Sequence, residues 1–206
     1  MEIMLVLASA SPRRRELLTL AGLDFTVEPS SIPEELKAGE SPVAYVVRLA
    51  REKAQAVLAR HGEPVLVLGA DTTVVAPTGE ILGKPENAAD AARMLHLLSG
   101  VTHQVITGVA LVSHSGVETA AEVTHVTMLT LSDEEIAAYI ASGEPFDKAG
   151  AYAIQGRAAR WIPRIHGCYF NVVGLPLALV ASMLEGARRR LMAVAAPETL
   201  TEEQTR

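Results

Sequence analysis

A Ser-Pro pair stands twice at the head of a stretch with helical periodicity, at Ser11-Pro12 and at Ser41-Pro42. A serine at the cap offers its oxygen to the free amide hydrogens of the first turn, and the fixed φ of proline suits the first helical residue. The first pair follows almost at once on Ile3 to Ala8, an apolar run of the length of a buried strand. A chain that alternates such strands with helices is committed to an α/β design. Leu17, Leu18 and Ala21 form the inner face of the first helix, and Gly22 stops it. Asp24 to Glu28 reads as a second strand, and 29–40, rich in proline, serine and glutamate, as a loop. The second helix runs to about Arg60, with Val43, Val47, Ala50, Ala54 and Val57 on one face.

Val65 to Leu68 is a further buried strand, resuming at Val74, and Pro77-Thr78-Gly79 is a turn. A helix from Ala88 to Leu98 ends at Ser99-Gly100. Residues 102–112 and 117–131 read as a β-hairpin around 113–116. Ser132-Asp133-Glu134-Glu135 is a capping box that opens the next helix. Short strands are expected near 151–154 and 160–165, and a last helix from Pro176 that ends in Arg188-Arg189-Arg190. One clear hairpin among alternating elements implies a mixed twisted sheet with flanking helices. No repeat and no long linker divides the chain, so 1–190 reads as one domain and 191–206 as a flexible C-terminal tail.

A chain of 206 residues can bury a full core without disulfides or a structural metal. Its single cysteine, Cys168, excludes a disulfide framework and a cysteine-based zinc site. The net charge of −6 argues against a DNA coat or a polybasic membrane binder, though not against a local basic pocket. With 4% aromatic residues there is little to stack on bases, so no nucleic-acid partner is expected. No apolar run approaches the ~18 residues that suggest a membrane span. Glu2 and Arg13 flank the first run in the wrong order for a signal peptide. The expected location is the cytoplasm. The phosphate-loop, dinucleotide, zinc-protease and hydrolase-elbow motifs are all missing; Gly83-Lys84 is followed by Pro85, which has no metal-binding hydroxyl.

Four constellations remain. Ser9-Ala10-Ser11-Pro12-Arg13-Arg14-Arg15 sits where a strand meets a helix N-terminus, whose free amide hydrogens attract phosphate. Guanidiniums offer forked donors to phosphate oxygens. Cations there are otherwise unfavourable by ~0.3–1 kcal/mol each, so a bound anion would relieve a conflict that solvated arginines would leave. Gly69-Ala70-Asp71-Thr72-Thr73 puts two small residues after a strand, leaving room for a ligand to approach the backbone. Asp71 then stands at the edge of the core, able to hold a metal or take a proton from water; it equally fits a strand-end turn. The chain has only four lysines, and Lys53, Lys84 and Lys148 are point charges suited to phosphate oxygens or to plain solvation. Finally, Gln155 before Gly156 could offer an amide donor and acceptor to a base edge, or could simply end a strand. His103 reads as a satisfied strand histidine, and Glu34 and Glu35 as loop charges unless a metal needs one. The natural ligand of such a set is a polyphosphate ester.

These blocks, in order, resemble the Maf family of nucleoside triphosphate pyrophosphatases over about residues 5–185. The most specific are the opening Ser9-to-Arg14 block and Asp147-Lys148-Ala149-Gly150 with Ile154-Gln155-Gly156. Lys53-Ala54, Gly83-Lys84-Pro85, Thr107-Gly108-Val109, Gly143-Glu144-Pro145 and Asn171 to Pro176 add to the match. The resemblance implies hydrolysis of a nucleoside triphosphate to monophosphate and pyrophosphate. It implies a two-lobed, inosine-triphosphatase-like fold with the site in the cleft between lobes, and a divalent cation (Mg, Mn or Co). By similarity Asp71 is the catalytic proton acceptor. Arg13, Thr72 and Gln155 match positions linked to base choice, and Ser9, Arg14, Lys53 and Lys84 the phosphate-binding shell. Glu34 joins Asp71 as a metal ligand. The 107–109 and 154–156 blocks resemble the branch acting on dTTP and UTP. Pro33 departs from the acidic residue usual beside Glu34, and Cys168 and Phe170 from the usual serines. The same resemblance implies a house-cleaning role in nucleotide metabolism, a link to septum inhibition and a homodimer. The alternatives are a 7-methyl-GTP or broad non-standard nucleotide pyrophosphatase, and a non-catalytic nucleotide-sensing division regulator.

Overall fold

Strand β1 (Met4–Leu7) runs into helix α1 (Pro12–Leu20) with Ser11 at the cap, and β2 (Thr26–Val27) follows. The structure, a computed structural model, describes residues 4–62 and 64–195. Helix α2 (Pro42–Leu58) leads to β3 (Val65–Val75), β4 (Ile81–Leu82) and α3 (Ala88–Leu98). The hairpin β5 (Thr102–Ser113) and β6 (Gly116–Thr127) precedes α4 (Asp133–Ala141). Three 3-10 turns, β7 (Arg164–His166), α5 (Tyr169–Val173) and α6 (Leu177–Ala195) complete the described chain. The strands form one sheet in the order β2-β1-β3-β5-β6-β7, with β4 also on β3. β1 is parallel to β2 and β3, and the other pairs are antiparallel, so the sheet is mixed as expected.

Local signals account for most boundaries. Ser41 Oγ accepts from the Ala44 amide and Asn87 Oδ1 from the Asp90 amide, each satisfying a free donor of a first turn. Ser132 and Glu135 form the reciprocal capping box. The departures come from tertiary packing. Val65 to Val75 is one continuous strand rather than two, because β5 pairs with it throughout from Val67 to Val75. The stretch 151–154 is not a strand: Ala149–Ala151 is a 3-10 turn, and Ala151 takes a left-handed φ of 59°. Only Arg164–His166 of the expected 160–165 strand pairs, and β6 stops at Thr127 rather than 131. Helix α6 passes the expected boundary at 190 and reaches Ala195; the rest of the expected tail, 196–206, lies outside the described residues.

Two helix faces are also turned from their expected positions. Ala21 is exposed, leaving Leu17 and Leu18 as the buried face of α1. On α2 the buried residues are Val46, Leu49, Ala50, Lys53, Ala54 and Val57, while Val43 is exposed. This turn of α2 is imposed by two glycines. A Cβ on Gly69 would stand 2.1 Å from the Ala50 carbonyl oxygen, and one on Gly108 2.4 Å from that of Val46. Gly69 therefore serves close helix–strand packing, and Ala70, on the opposite face, joins the apolar cluster of Leu7, Leu18 and Leu68, rather than giving a ligand access as the sequence suggested.

One face of the sheet carries two apolar clusters. Leu5, Leu7, Leu17, Leu18, Leu68, Val109 and Leu175 are in one, and Val74, Leu82, Met94, Leu98, Val105, Val126 and Trp161 in the other. The opposite face is covered by α2 through Ala50, Ala54 and Val57. His103 lies in β5, buried, with Nε2 2.8 Å from the Tyr152 hydroxyl and no partner at Nδ1. Burial pulls its pKa from 6.5 down to about 4. The unfolded chain therefore takes up this proton where the native one does not, and stability falls as pH drops from 6.5 toward 4. Denaturant titrations at pH 7 and pH 4.5 should show that His103→Gln removes about 2 kcal/mol of the wild-type acid loss. An equal loss in both proteins would mean that other groups carry it.

Candidate active site

The Gly69-to-Thr73 segment sits at a break in the sheet. β5 covers one edge of β3; β1 and β4 share the other. β1 pairs with β3 only as far as Leu68 and β4 pairs with it only from Val74, so residues 69–73 face an open edge between them. Side chains alternate along a strand, so Asp71 and Thr72 point to opposite faces at this gap. A cleft of about 760 Å³ opens there, within the range of small-molecule sites. Ser9, Arg13, Arg14, Glu34, Lys53, Asp71, Thr72, Lys84 and Gln155 all line it. Every site residue read from the sequence is thus brought to one cavity.

Asp71 faces α2. The close packing at Gly69 puts Lys53, between Ala50 and Ala54, against it, and Lys53 Nζ lies 2.6 Å from Asp71 Oδ1. The same nitrogen is 2.6 Å from Glu34 Oε1. Lys53 and Asp71 are buried; Glu34 is exposed at the cleft. Burial raises the pKa of Asp71 above the ordinary carboxylate value, against the downward pull of Lys53 and Arg14; Glu34 adds to the rise. A carboxylate pushed upward in this way is a better proton acceptor near neutral pH.

The 29–40 loop is fastened to α2, which fixes Glu34 over the cleft. Arg48 grips Glu40 with two bonds, at 2.6 and 2.7 Å, and also donates to the Glu35 carbonyl. The Arg48 hydrogen bonds hold the Glu40 carboxyl down to about 2. Tyr45 Oη donates to the Glu34 carbonyl at 3.0 Å. Sequence periodicity missed this role for Arg48, since an arginine on a polar helix face looks like any solvated one.

Thr72 faces the other way, into a polar belt between the two apolar clusters. Its Oγ1 is 2.9 Å from Thr107 Oγ1 and accepts from Arg14 at 3.0 Å. Arg14 also donates to the Gly174 carbonyl at 2.9 Å and to Ser9 Oγ at 3.2 Å. Ser9 Oγ accepts from the Ser11 amide as well, and the Ser11 side chain makes no cap bond. These ties hold the start of α1 to β3 and α5 and leave part of the Arg14 fork for a ligand. Arg13 reaches across the mouth of the cleft to Asp147 at 3.4 Å. Lys84 and Gln155 are exposed. Lys148 also lines the cleft, with Nζ donating to the Glu144 carbonyl at 2.7 Å and to Asp147.

Around this cleft five cations (Arg13, Arg14, Lys53, Lys84 and Lys148) face three carboxylates (Glu34, Asp71 and Asp147) in a chain whose net charge is −6. Such a pocket collects a polyanion. The Maf family, "Maf-like protein", matches residues 4–187. A curated relative from Koribacter versatilis, named dTTP/UTP pyrophosphatase, is 55% identical over 89% of this chain and 94% of its own length. One of the same name from Geobacter metallireducens is 56% identical over 87% and 94%. A third, from Salmonella typhimurium, is 54% identical over 87% and 91%. Among solved structures, a HAM1 protein from Coxiella burnetii aligns with a TM-score of 0.41 at 18% identity, covering 62% of this chain and 73% of that one. From the Ser9 turn at its beginning to the Gly174 carbonyl that receives Arg14, the cleft is built within the matched span, and this chain belongs to the Maf family.

Proposed function

We propose that this protein hydrolyses dTTP and UTP to the monophosphate and pyrophosphate, with Asp71 as the acceptor of the water proton. The observation that carries the reading is Asp71 itself: a buried carboxylate, raised in pKa, at an open strand edge inside a cation-lined cleft. The relatives' curated name supports the choice of nucleotide.

The triphosphate repels an incoming hydroxide, so the protein must offset charge before chemistry can occur. The start of α1, with the free donors of Arg14, receives phosphate oxygens. Lys84 and Lys148, which line the cleft, would offset the charge that develops on the departing pyrophosphate. Lys53, expected from the resemblance to bind phosphate, is paired with Asp71 and Glu34 instead; it holds the Asp71 carboxylate in place and opposes the rise that burial gives its pKa. Arg13, Thr72 and Gln155, all on the cleft wall, are the groups this reading gives to base choice.

A divalent cation such as Mg, Mn or Co fits the donor set. Glu34 and Asp71 meet at one nitrogen, and hard cations of this kind take one or two carboxylates together with substrate phosphates and water. No group of three His, Cys, Asp or Glu residues that could hold a metal by itself occurs among the described residues. When bound it would act as a Lewis acid on the phosphate oxygens.

Pyrophosphate release should be measured with dTTP, UTP, CTP, GTP and 7-methyl-GTP, with Mn²⁺ and with chelator. Metal-dependent release from dTTP and UTP alone is the expected result, and Gln155→Ala should flatten their advantage over the purine nucleotides. Release from 7-methyl-GTP in preference to dTTP would overturn the pyrimidine reading. Binding without any release would overturn catalysis.

A further inference from the structure

Gln155 sits in an exposed turn, where an amide side chain has no fixed orientation of its own. Its backbone is nevertheless held on both sides by one pair of residues. Two positions before it, the Ala153 amide donates to the Tyr139 hydroxyl at 3.2 Å. Two positions after it, the Arg157 amide donates to both oxygens of Glu144, at 3.0 and 3.2 Å. The clamp is closed by Tyr139 Oη, which donates to Glu144 Oε1 at 2.8 Å. Tyr139 is buried on α4 and packed edge-on against Trp161, so the clamp is anchored in the core. Gly156 leaves the space that the carboxylate fills: a Cβ there would stand 1.9 Å from Glu144 Oε1.

We propose that Glu144, acting with Tyr139, is a positioning residue for base selection, fixing the turn that presents Gln155 to the nucleobase. The inference rests on the reading of Gln155 given under the proposed function. The Glu144 carboxylate bonds to Tyr139 and the Arg157 amide and to no phosphate-facing side chain; Lys148 is held by the Glu144 backbone carbonyl, which every substitution at 144 keeps. Loss of the carboxylate therefore acts on base discrimination before it acts on the rate of a bound substrate. A turn held only by its own Gly156-to-Ala153 hydrogen bond samples several orientations, and each wrong one leaves the Gln155 amide unpaired with the base.

The test compares kcat and KM for dTTP and dATP in the wild type, Gln155→Ala, Glu144→Ala, Glu144→Gln, Tyr139→Phe and Gly156→Ala. Thermal melts establish that each variant folds. Glu144→Ala should lower the dTTP preference about tenfold, mainly through KM, with kcat for dTTP changed by less than about threefold. Glu144→Gln keeps an oxygen that can accept from Tyr139 and Arg157, and should restore the preference to within about threefold. Gly156→Ala displaces the carboxylate from the other side and should behave as Glu144→Ala does. Should Glu144→Ala not fold, Tyr139→Phe opens the same clamp while keeping the ring in the core. If Gln155→Ala flattens the preference but the folded clamp variants leave it intact, the positioning role is overturned and the Gln155 reading stands. An unchanged preference in Gln155→Ala overturns both. Equal loss of kcat for both nucleotides, unrelieved by Glu144→Gln, would mark Glu144 as merely structural.

Discussion

Asp71→Asn lowers turnover of dTTP about 10²–10⁴-fold, the usual contribution of a positioned general base. Asparagine has nearly the same shape and its Oδ1 can still accept from Lys53, so the packing of α2 on β3 is preserved. The cations that face the phosphates are untouched, and one negative charge leaves the cleft. Binding of metal-free nucleotide, measured by calorimetry in the presence of chelator, should therefore be retained or tightened. In the wild type the acid limb of the kcat/KM profile should turn above the ordinary carboxylate range, because burial raises the Asp71 pKa. An Asp71→Asn enzyme with full activity would remove Asp71 from the mechanism.

Lys53→Met removes the cation on which two carboxylates converge. Breaking a buried pair costs about 3–5 kcal/mol when the remaining charge stays buried and uncompensated. Asp71 recovers part of this by taking up a proton, since Lys53 is the main force opposing its burial. The sign of the pH dependence follows. With its native pKa moved further above the unfolded value, Asp71 binds more protons folded than unfolded, and stability falls as pH rises through the new pKa. The deficit of Lys53→Met relative to wild type is thus smallest in acid and reaches its plateau above that pKa. Activity responds in parallel: the acid limb moves to higher pH, and turnover at neutral pH drops as protonated Asp71 accumulates. Denaturant titrations and pH–rate profiles of the same variant check both. A deficit that is flat with pH would mean that Lys53 does not govern the ionisation of Asp71.

The arginine–glutamate contact over the loop shows why part of this site cannot be read along the chain. Glu34 was visible as a loop carboxylate, but its fixed position depends on Arg48 and Tyr45 of a helix that packs over the loop. Lys53 was legible as a rare lysine beside Ala54, yet helical periodicity placed Val43 and Val47 on the buried face instead. The true face was decided by the backbone approach at Gly69 and Gly108, residues far from α2 in sequence. The Gln155 turn reads locally as an apolar strand, Ala-Tyr-Ala-Ile, but it pairs with no strand, and the amides on either side of it are satisfied by Tyr139 and Glu144. Glu144 itself was seen only as part of a Gly-Glu-Pro block with no chemistry attached.

Helix starts, the capping box, the hairpin and the alternation of strand and helix were determined by the sequence alone, because each depends on hydrogen bonds and side-chain periods within a few residues. So was the inventory of charged and polar groups suited to a polyphosphate. Tertiary structure alone decided which lysine is buried, which carboxylate it serves, and where β3 is left open. It also decided what holds the turn that carries Gln155. These outcomes depend on backbones meeting across the sheet, where the space left by a missing Cβ or the need to satisfy a buried amide overrides local preference.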